Sequence, residues 1–90
     1  MSAVLITGAA RRLGRAIALE LATAGYDVAV HFYSSRADAE ETAGEVRKRG
    51  RKAALVEADL SKESDVVTIV PHATRELGPL TALVNNASVF

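Results

Sequence analysis

The chain has 90 residues, 49% hydrophobic and 24% charged, with no cysteine, which describes one small soluble globular unit with a thin core and excludes a disulfide framework, a thiolate metal site and a cysteine nucleophile. Eleven Lys and Arg balance eleven Asp and Glu, which removes the bulk electrostatic case for a nucleic-acid partner or an anionic membrane. The start Met1-Ser2-Ala3 has no basic stretch before its short apolar run, and no apolar run approaches the roughly 20 residues of a membrane span, so the expectation is a cytoplasmic protein with no membrane partner.

Ala3 to Thr7 is a short apolar run that stops at a glycine, as a strand buried on both faces does. From Leu13 to Ala24 the period becomes helical: Leu13, Ile17 and Leu21 recur every four residues, and Gly25 stands where a C-terminal cap belongs. Val28 to Phe32 predicts a second strand. Ser35 is placed to cap a second helix, with Asp38, Glu40 and Glu41 near its positive end, that runs to about Arg49 and stops at Gly50. Ala53 to Ala58 predicts a third strand, and Ser61 is placed to cap a third helix with Glu63 and Asp65 in its first turn. Pro71 removes a hydrogen bond and clashes with the Val67 carbonyl, which predicts a kink or an early end near Val70 and a last turn reaching Leu77. A fourth strand lies within Leu80 to Asn85, after Gly78-Pro79.

Strands alternating with helices over short connections predict a doubly wound α/β fold, a parallel sheet with right-handed crossovers. In its dinucleotide-binding, Rossmann version the strand order is 3-2-1-4, with strand 4 expecting a further neighbour. The turn from Thr7 to Arg15 joins the first strand to the first helix, where backbone N–H groups and the helix dipole converge on an anion. Gly8 permits a tight turn, Gly14 a close approach of helix to sheet, and Ala9 and Ala10 leave room for a pyrophosphate.

This turn resembles the signature of the short-chain dehydrogenase/reductase family, which reads TG, three residues, G, one residue, G. Arg12 replaces the middle glycine. TGxxxRxG together with Asn85-Asn86-Ala87-Ser88, in place of the more usual NNAG, looks like the pteridine reductase branch. The resemblance extends along the whole chain and implies a nicotinamide cofactor and hydride transfer to a small-molecule substrate. It implies that Arg12 reaches cofactor phosphates and the substrate side of the cleft, that Leu13 donates its N–H to the pyrophosphate, and that Asp59 and Leu60 hold the adenine. Asn86 and Ala87 would line the floor under the nicotinamide ribose, Ser88 would contact phosphate and substrate, and Phe90 would stack on a flat pterin. Taken without the resemblance, Asp59 reads as a helix-start residue before Ser61, Asn85-Asn86 as a turn, and Phe90 as a chain end.

An acid at the end of strand 2 is the usual mark of preference for the unphosphorylated cofactor. From Val28 to Ala37 there is none; His31, Phe32, Tyr33, Ser34, Ser35 and Arg36 offer an imidazole, hydroxyls, a guanidinium and a helix N-terminus to a 2′-phosphate. NADPH/NADP+ is therefore the expected cofactor. Ser34 and Ser35 also read as helix caps, Arg36 as a solvated side chain, and His31 as a neutral histidine packed under the loop.

The basic run Arg47 to Lys52 suits a helix C-terminus and lacks interleaved aromatics, so it reads as a solvated helix end. His72 has no partner at ligand spacing, and no metal site is expected. The family's Tyr-x-x-x-Lys pair is missing: Tyr26 and Tyr33 are followed at the fourth position by Val30 and Ala37. The expectation is that residues 1–90 form the N-terminal, cofactor-binding part of one Rossmann domain, with no catalytic residue in this stretch and a catalytic part downstream, in a protein that the resemblance makes a homo-oligomer, a tetramer. A non-catalytic NADP(H)-sensing module, a reductase of another carbonyl or acyl substrate, and a different Rossmann-like nucleotide enzyme stay open.

Overall fold

Every apolar run bounded by turn residues becomes a strand in the computed structural model, which describes residues 2–87. The elements are β1 (Ala3–Ile6), α1 (Arg12–Thr23), β2 (Asp27–Phe32), α2 (Arg36–Lys48), β3 (Ala53–Glu57), α3 (Glu63–Leu77) and β4 (Leu80–Val84). All neighbouring strands are parallel, in the order β3-β2-β1-β4, with Ile6 opposite Val30 on one side and Val84 on the other. This is the expected Rossmann-type sheet. Parallel strands place their C-terminal ends on one edge, so the loops that follow β1, β2, β3 and β4 converge there.

Side-chain alternation divides the core into two layers. Val4, Ile6, Val28, Val30 and Phe32 face α1 and α2, packing on Ala18, Ala22, Ala39, Ala43 and Val46. Leu5, Ala29 and Val56 face α3 through Ile69 and Ala73. The alanines let α1 and α2 lie close to the sheet, and at about 25 cal/mol per Å2 the burial of these valines and isoleucines supplies most of the driving force for docking them. β4 is the least covered strand: Leu83 is 61% exposed, and among the described residues β4 pairs with β1 alone. No helix among the described residues is long and apolar enough to cross a membrane.

Three local expectations are corrected. α3 does not end near Val70: it continues through Pro71 and closes at Leu77, where its last turn was expected. Val67 and Pro71 are both exposed, so the carbonyl freed by the proline lies on the solvent side, while Ile69 and Ala73 hold the opposite side to the sheet. Ser61 does not cap α3; Lys62 occupies that position, and the Ser61 hydroxyl donates to Asp59 Oδ1 at 2.6 Å. Ser35 does stand at the N-cap of α2, but its side chain makes no cap hydrogen bond, its carbonyl alone accepting from Ala39 N–H.

Candidate functional site

The four loops at the C-terminal edge enclose a cleft of about 570 Å3. Its base is the turn after β1. Gly8 has φ 65°, a left-handed conformation that glycine adopts without steric cost. Gly14, in the first turn of α1, lies against it: a Cβ on Gly14 would stand 2.0 Å from the Gly8 carbonyl oxygen and 2.7 Å from Asn86 Nδ2. Both glycines expected from the spacing thus serve one contact, Gly8 at the rim of the cleft and Gly14 buried behind it.

The loop after β4 is stitched to the same turn. The Thr7 hydroxyl oxygen accepts from Asn86 N–H at 2.9 Å and Ala87 N–H at 3.1 Å, and Asn86 Nδ2 donates to the Gly8 carbonyl at 3.2 Å. Asn86 and Ala87 therefore line the cleft beside Gly8. Ser88 and Phe90 lie outside the described residues.

His31 is packed under the loop and also lines the cleft. Its side chain is buried at the end of β2; Nδ1 accepts from Gly8 N–H at 2.9 Å, and Nε2, 3.0 Å from the Ala58 carbonyl, must then carry the proton and donate. Its backbone carbonyl takes Ala9 N–H as well. Burial holds the imidazole below its ordinary pKa, with the Ala58 hydrogen bond acting in the opposite direction. Both ring nitrogens being used, His31 supports the turn and offers no N–H to a ligand.

With Gly8 and Ala9 satisfied, the N–H groups of Arg11, Arg12, Leu13 and Gly14 have no protein acceptor among the described residues. They are the unpaired donors at the head of α1, where the helix dipole is positive. Arg12 has φ 57°, the left-handed region that costs a non-glycine residue about 1–2 kcal/mol. Arg12 and Leu13 both line the cleft, and Leu13 is 66% exposed.

The opposite wall is the end of β2. Phe32, Tyr33, Ser34 and Ser35 line it, and Asp59 and Leu60 close it from the loop after β3. Arg36 lies outside the lining, stacked over the Phe32 ring at 5.2 Å and paired with Glu40 at 3.5 Å and Glu57 at 3.4 Å. β2 has no carboxylate at this end, yet Glu57 reaches it from β3, where it is the register partner of Phe32. The Asp59 carboxylate accepts from the Ser61 hydroxyl and then its N–H, which hold its pKa below the usual carboxylate range.

Three residues without an assigned role in the sequence take part. Arg11 lines the cleft and pairs with Asp38 of α2 at 3.6 Å. Thr7 joins the two loops, and Thr42, fully buried in α2, donates to the Ala10 carbonyl at 2.9 Å. Arg11 was detectable as a third arginine in an anion-accepting turn; Thr42 carries no local signal. In the basic run, Arg47 donates to the Ala53 carbonyl, Lys48 and Arg49 pair with Glu45, and Arg51 pairs with Asp27.

A parallel Rossmann-type sheet with a glycine turn and unpaired N–H groups at its C-terminal edge sets the class of this chain. The family model described as short chain dehydrogenase matches residues 2–90. The chain belongs to the short-chain dehydrogenase family, a family of oxidoreductases. It is 40% identical over 85 residues to the short-chain dehydrogenase/reductase homolog YusS of Bacillus subtilis, covering 94% of this chain and 78% of that one. The 3-oxoacyl-[acyl-carrier-protein] reductase FabG of Staphylococcus epidermidis is 36% identical over 85 residues, covering 94% of this chain and 35% of its own length. The crystal structure of FolM alternative dihydrofolate reductase 1 from Brucella suis in complex with NADP matches with a TM-score of 0.91 and 43% identity, over 99% of this chain and 37% of that one. The chain thus spans about a third of the length of the FabG and FolM proteins.

Proposed function

We propose that residues 1–90 are the dinucleotide-binding part of an NADPH-dependent short-chain reductase, whose acid and base residues lie in the remainder of the protein. The observation that carries this reading is the row of unpaired N–H groups from Arg11 to Gly14 at the head of α1, set behind a Gly8–Gly14 contact that no side chain can enter. Such a row fits a pyrophosphate: it combines directed donors with a positive dipole and the Arg11 and Arg12 guanidinium groups. At the far wall the Ser34 and Ser35 hydroxyls and the nearby Arg36 suit a 2′-phosphate. Asp59, Leu60, Asn86 and Ala87 all line the cleft, and this reading assigns the first two to an adenine edge and the last two to the floor under the nicotinamide ribose. When bound, a reduced nicotinamide supplies a hydride; the residues described here bind and orient it.

The substrate class favoured is a pterin. It rests on Arg12 in place of glycine, on the NNAS motif, and on the 43% identity to a protein named as an alternative dihydrofolate reductase. A homo-oligomeric, cytoplasmic protein belongs to the same reading.

The cofactor half is tested with Arg36→Ala and Ser35→Ala in the complete polypeptide. NADPH affinity is expected to fall about tenfold and NADH affinity to stay within about twofold. Equal losses for both cofactors would remove the 2′-phosphate assignment. Turnover of a dihydropterin set against a 3-oxoacyl thioester, by the same polypeptide, decides the substrate class.

A further inference from the structure

Thr42 lies in α2, 32 residues along the chain from the turn after β1, and its side chain is fully buried. Its hydroxyl is held from two sides: it accepts from Arg15 Nη1 at 3.0 Å and donates to the Ala10 carbonyl at 2.9 Å. The direction is forced, because a guanidinium can only donate. Arg15 is in turn paired with Glu41, one residue before Thr42 on the same helix, at 3.4 Å. Two residues beyond Ala10, the backbone of Arg12 is left-handed at φ 57°. A non-glycine residue stays in that region only where its surroundings over-determine it.

We propose that Thr42 is a positioning residue for the phosphate-accepting turn: with Arg15 it ties the Ala10 carbonyl to α2, and so keeps Arg12 left-handed and the N–H groups of Arg11 to Gly14 free for an anion. The proposal rests on the nucleotide reading above. Removing the hydroxyl leaves the Ala10 oxygen without its donor in a buried setting and takes from Arg15 one of its two partners, Glu41 remaining. The carbonyl then gains most by turning toward water, and the open side of this turn is the cleft. That rotation releases Arg12 and brings an oxygen, with its partial negative charge, to the surface that should accept phosphate.

Thr42→Val keeps the side-chain shape and removes the hydroxyl; Thr42→Ser keeps the hydroxyl. Each is made in the complete polypeptide, alone and together with Arg12→Gly, which abolishes the backbone constraint that the clamp opposes. The probes are NADPH and adenosine 2′-monophosphate, the second having no pyrophosphate. Thr42→Val is expected to weaken NADPH about tenfold and adenosine 2′-monophosphate less than about twofold, Thr42→Ser to restore NADPH binding, and the Thr42→Val loss to shrink below about twofold beside Gly at position 12. In the absence of ligand, amide exchange of Gly8 and Ala9 is expected to accelerate about tenfold in Thr42→Val while the β2 amides are unchanged. Arg15→Leu, which leaves the hydroxyl but removes its donor, is expected to move exchange in the same direction by about threefold. Unchanged exchange at Gly8 and Ala9, or an equal NADPH loss with Arg and with Gly at position 12, overturns the proposal. Failure of the parent to bind NADPH overturns the nucleotide reading, and the exchange comparison still decides the clamp.

Discussion

Gly14 and Gly8 touch through backbone alone: a single carbon added to Gly14 would sit 2.0 Å from the Gly8 carbonyl oxygen. Backbone cannot give way as a flexible side chain does, so Gly14→Ala forces α1 and the turn apart. We expect it to cost about 3 kcal/mol in urea unfolding. A cost below about 1 kcal/mol would mean that helix and turn do not approach this closely.

Arg12 combines a charge with an unfavourable backbone, and two substitutions separate them. Arg12→Ala removes the guanidinium and keeps the left-handed constraint; Arg12→Gly removes both. Both variants should lose NADPH affinity, and the glycine variant should be more stable than the alanine variant by about 1 kcal/mol. Equal denaturation midpoints for the two would show that position 12 is unstrained.

His31 must be neutral to accept from Gly8 N–H, and burial lowers its pKa in the fold. Because the folded pKa lies below the unfolded 6.5, the stabilisation is complete above pH 6.5 and is lost as pH falls through the folded value. The urea midpoint of the parent should therefore drop on acidification from pH 7 toward 5, while His31→Phe, destabilised by about 1–3 kcal/mol at pH 7, should show a flatter profile over that range. Parallel profiles would assign the pH dependence to other groups.

Asp27 anchors the opposite end of β2. Burial raises its pKa, but the Lys52 N–H at 2.9 Å and Arg51, 2.9 Å from the same oxygen, outweigh it, and the carboxyl titrates below its ordinary value. Its stabilisation is present above pH 3.8 and is lost as pH falls through the lower folded value. Asp27→Asn leaves the Arg51 charge half-buried and unpaired, and we expect a loss of about 3 kcal/mol at pH 7, read by thermal or urea unfolding. A loss under about 0.5 kcal/mol would class the pair with ordinary surface bridges.

What could be read from the chain alone follows the range of each interaction. The runs Ala3 to Thr7 and Val28 to Phe32 declared β1 and β2 because local apolarity and neighbouring turn residues decide strands buried on both faces. The proline rule allowed an early end near Val70 that α3 does not take, because it cannot tell which side of the helix meets water, whereas the expected end at Leu77 holds. The TG and NNAS segments pointed to loops that do meet at one edge. How they meet depends on the Thr7 hydroxyl, the His31 imidazole and the Thr42 hydroxyl, whose partners come from other elements and leave no periodic trace. His31 shows the limit: imidazole at the end of a strand suits a phosphate ligand and a buried support equally, and its ring-nitrogen partners, Gly8 N–H and Ala58 O, come from either side of β2 and leave no trace in the sequence.

The Thr7 bonds to Asn86 and Ala87 span 79 and 80 residues of sequence. During synthesis the chain emerges N-terminus first, so the turn after β1 leaves the ribosome well before β4. It cannot reach its finished shape until β4 and the loop behind it have followed and paired with β1. Closing so long a loop is slow compared with forming α1 or α2 locally. The turn after β1 is thus made before β4 yet finished only after it, and a nascent chain halted before residue 80 would carry α1 and α2 without the completed turn.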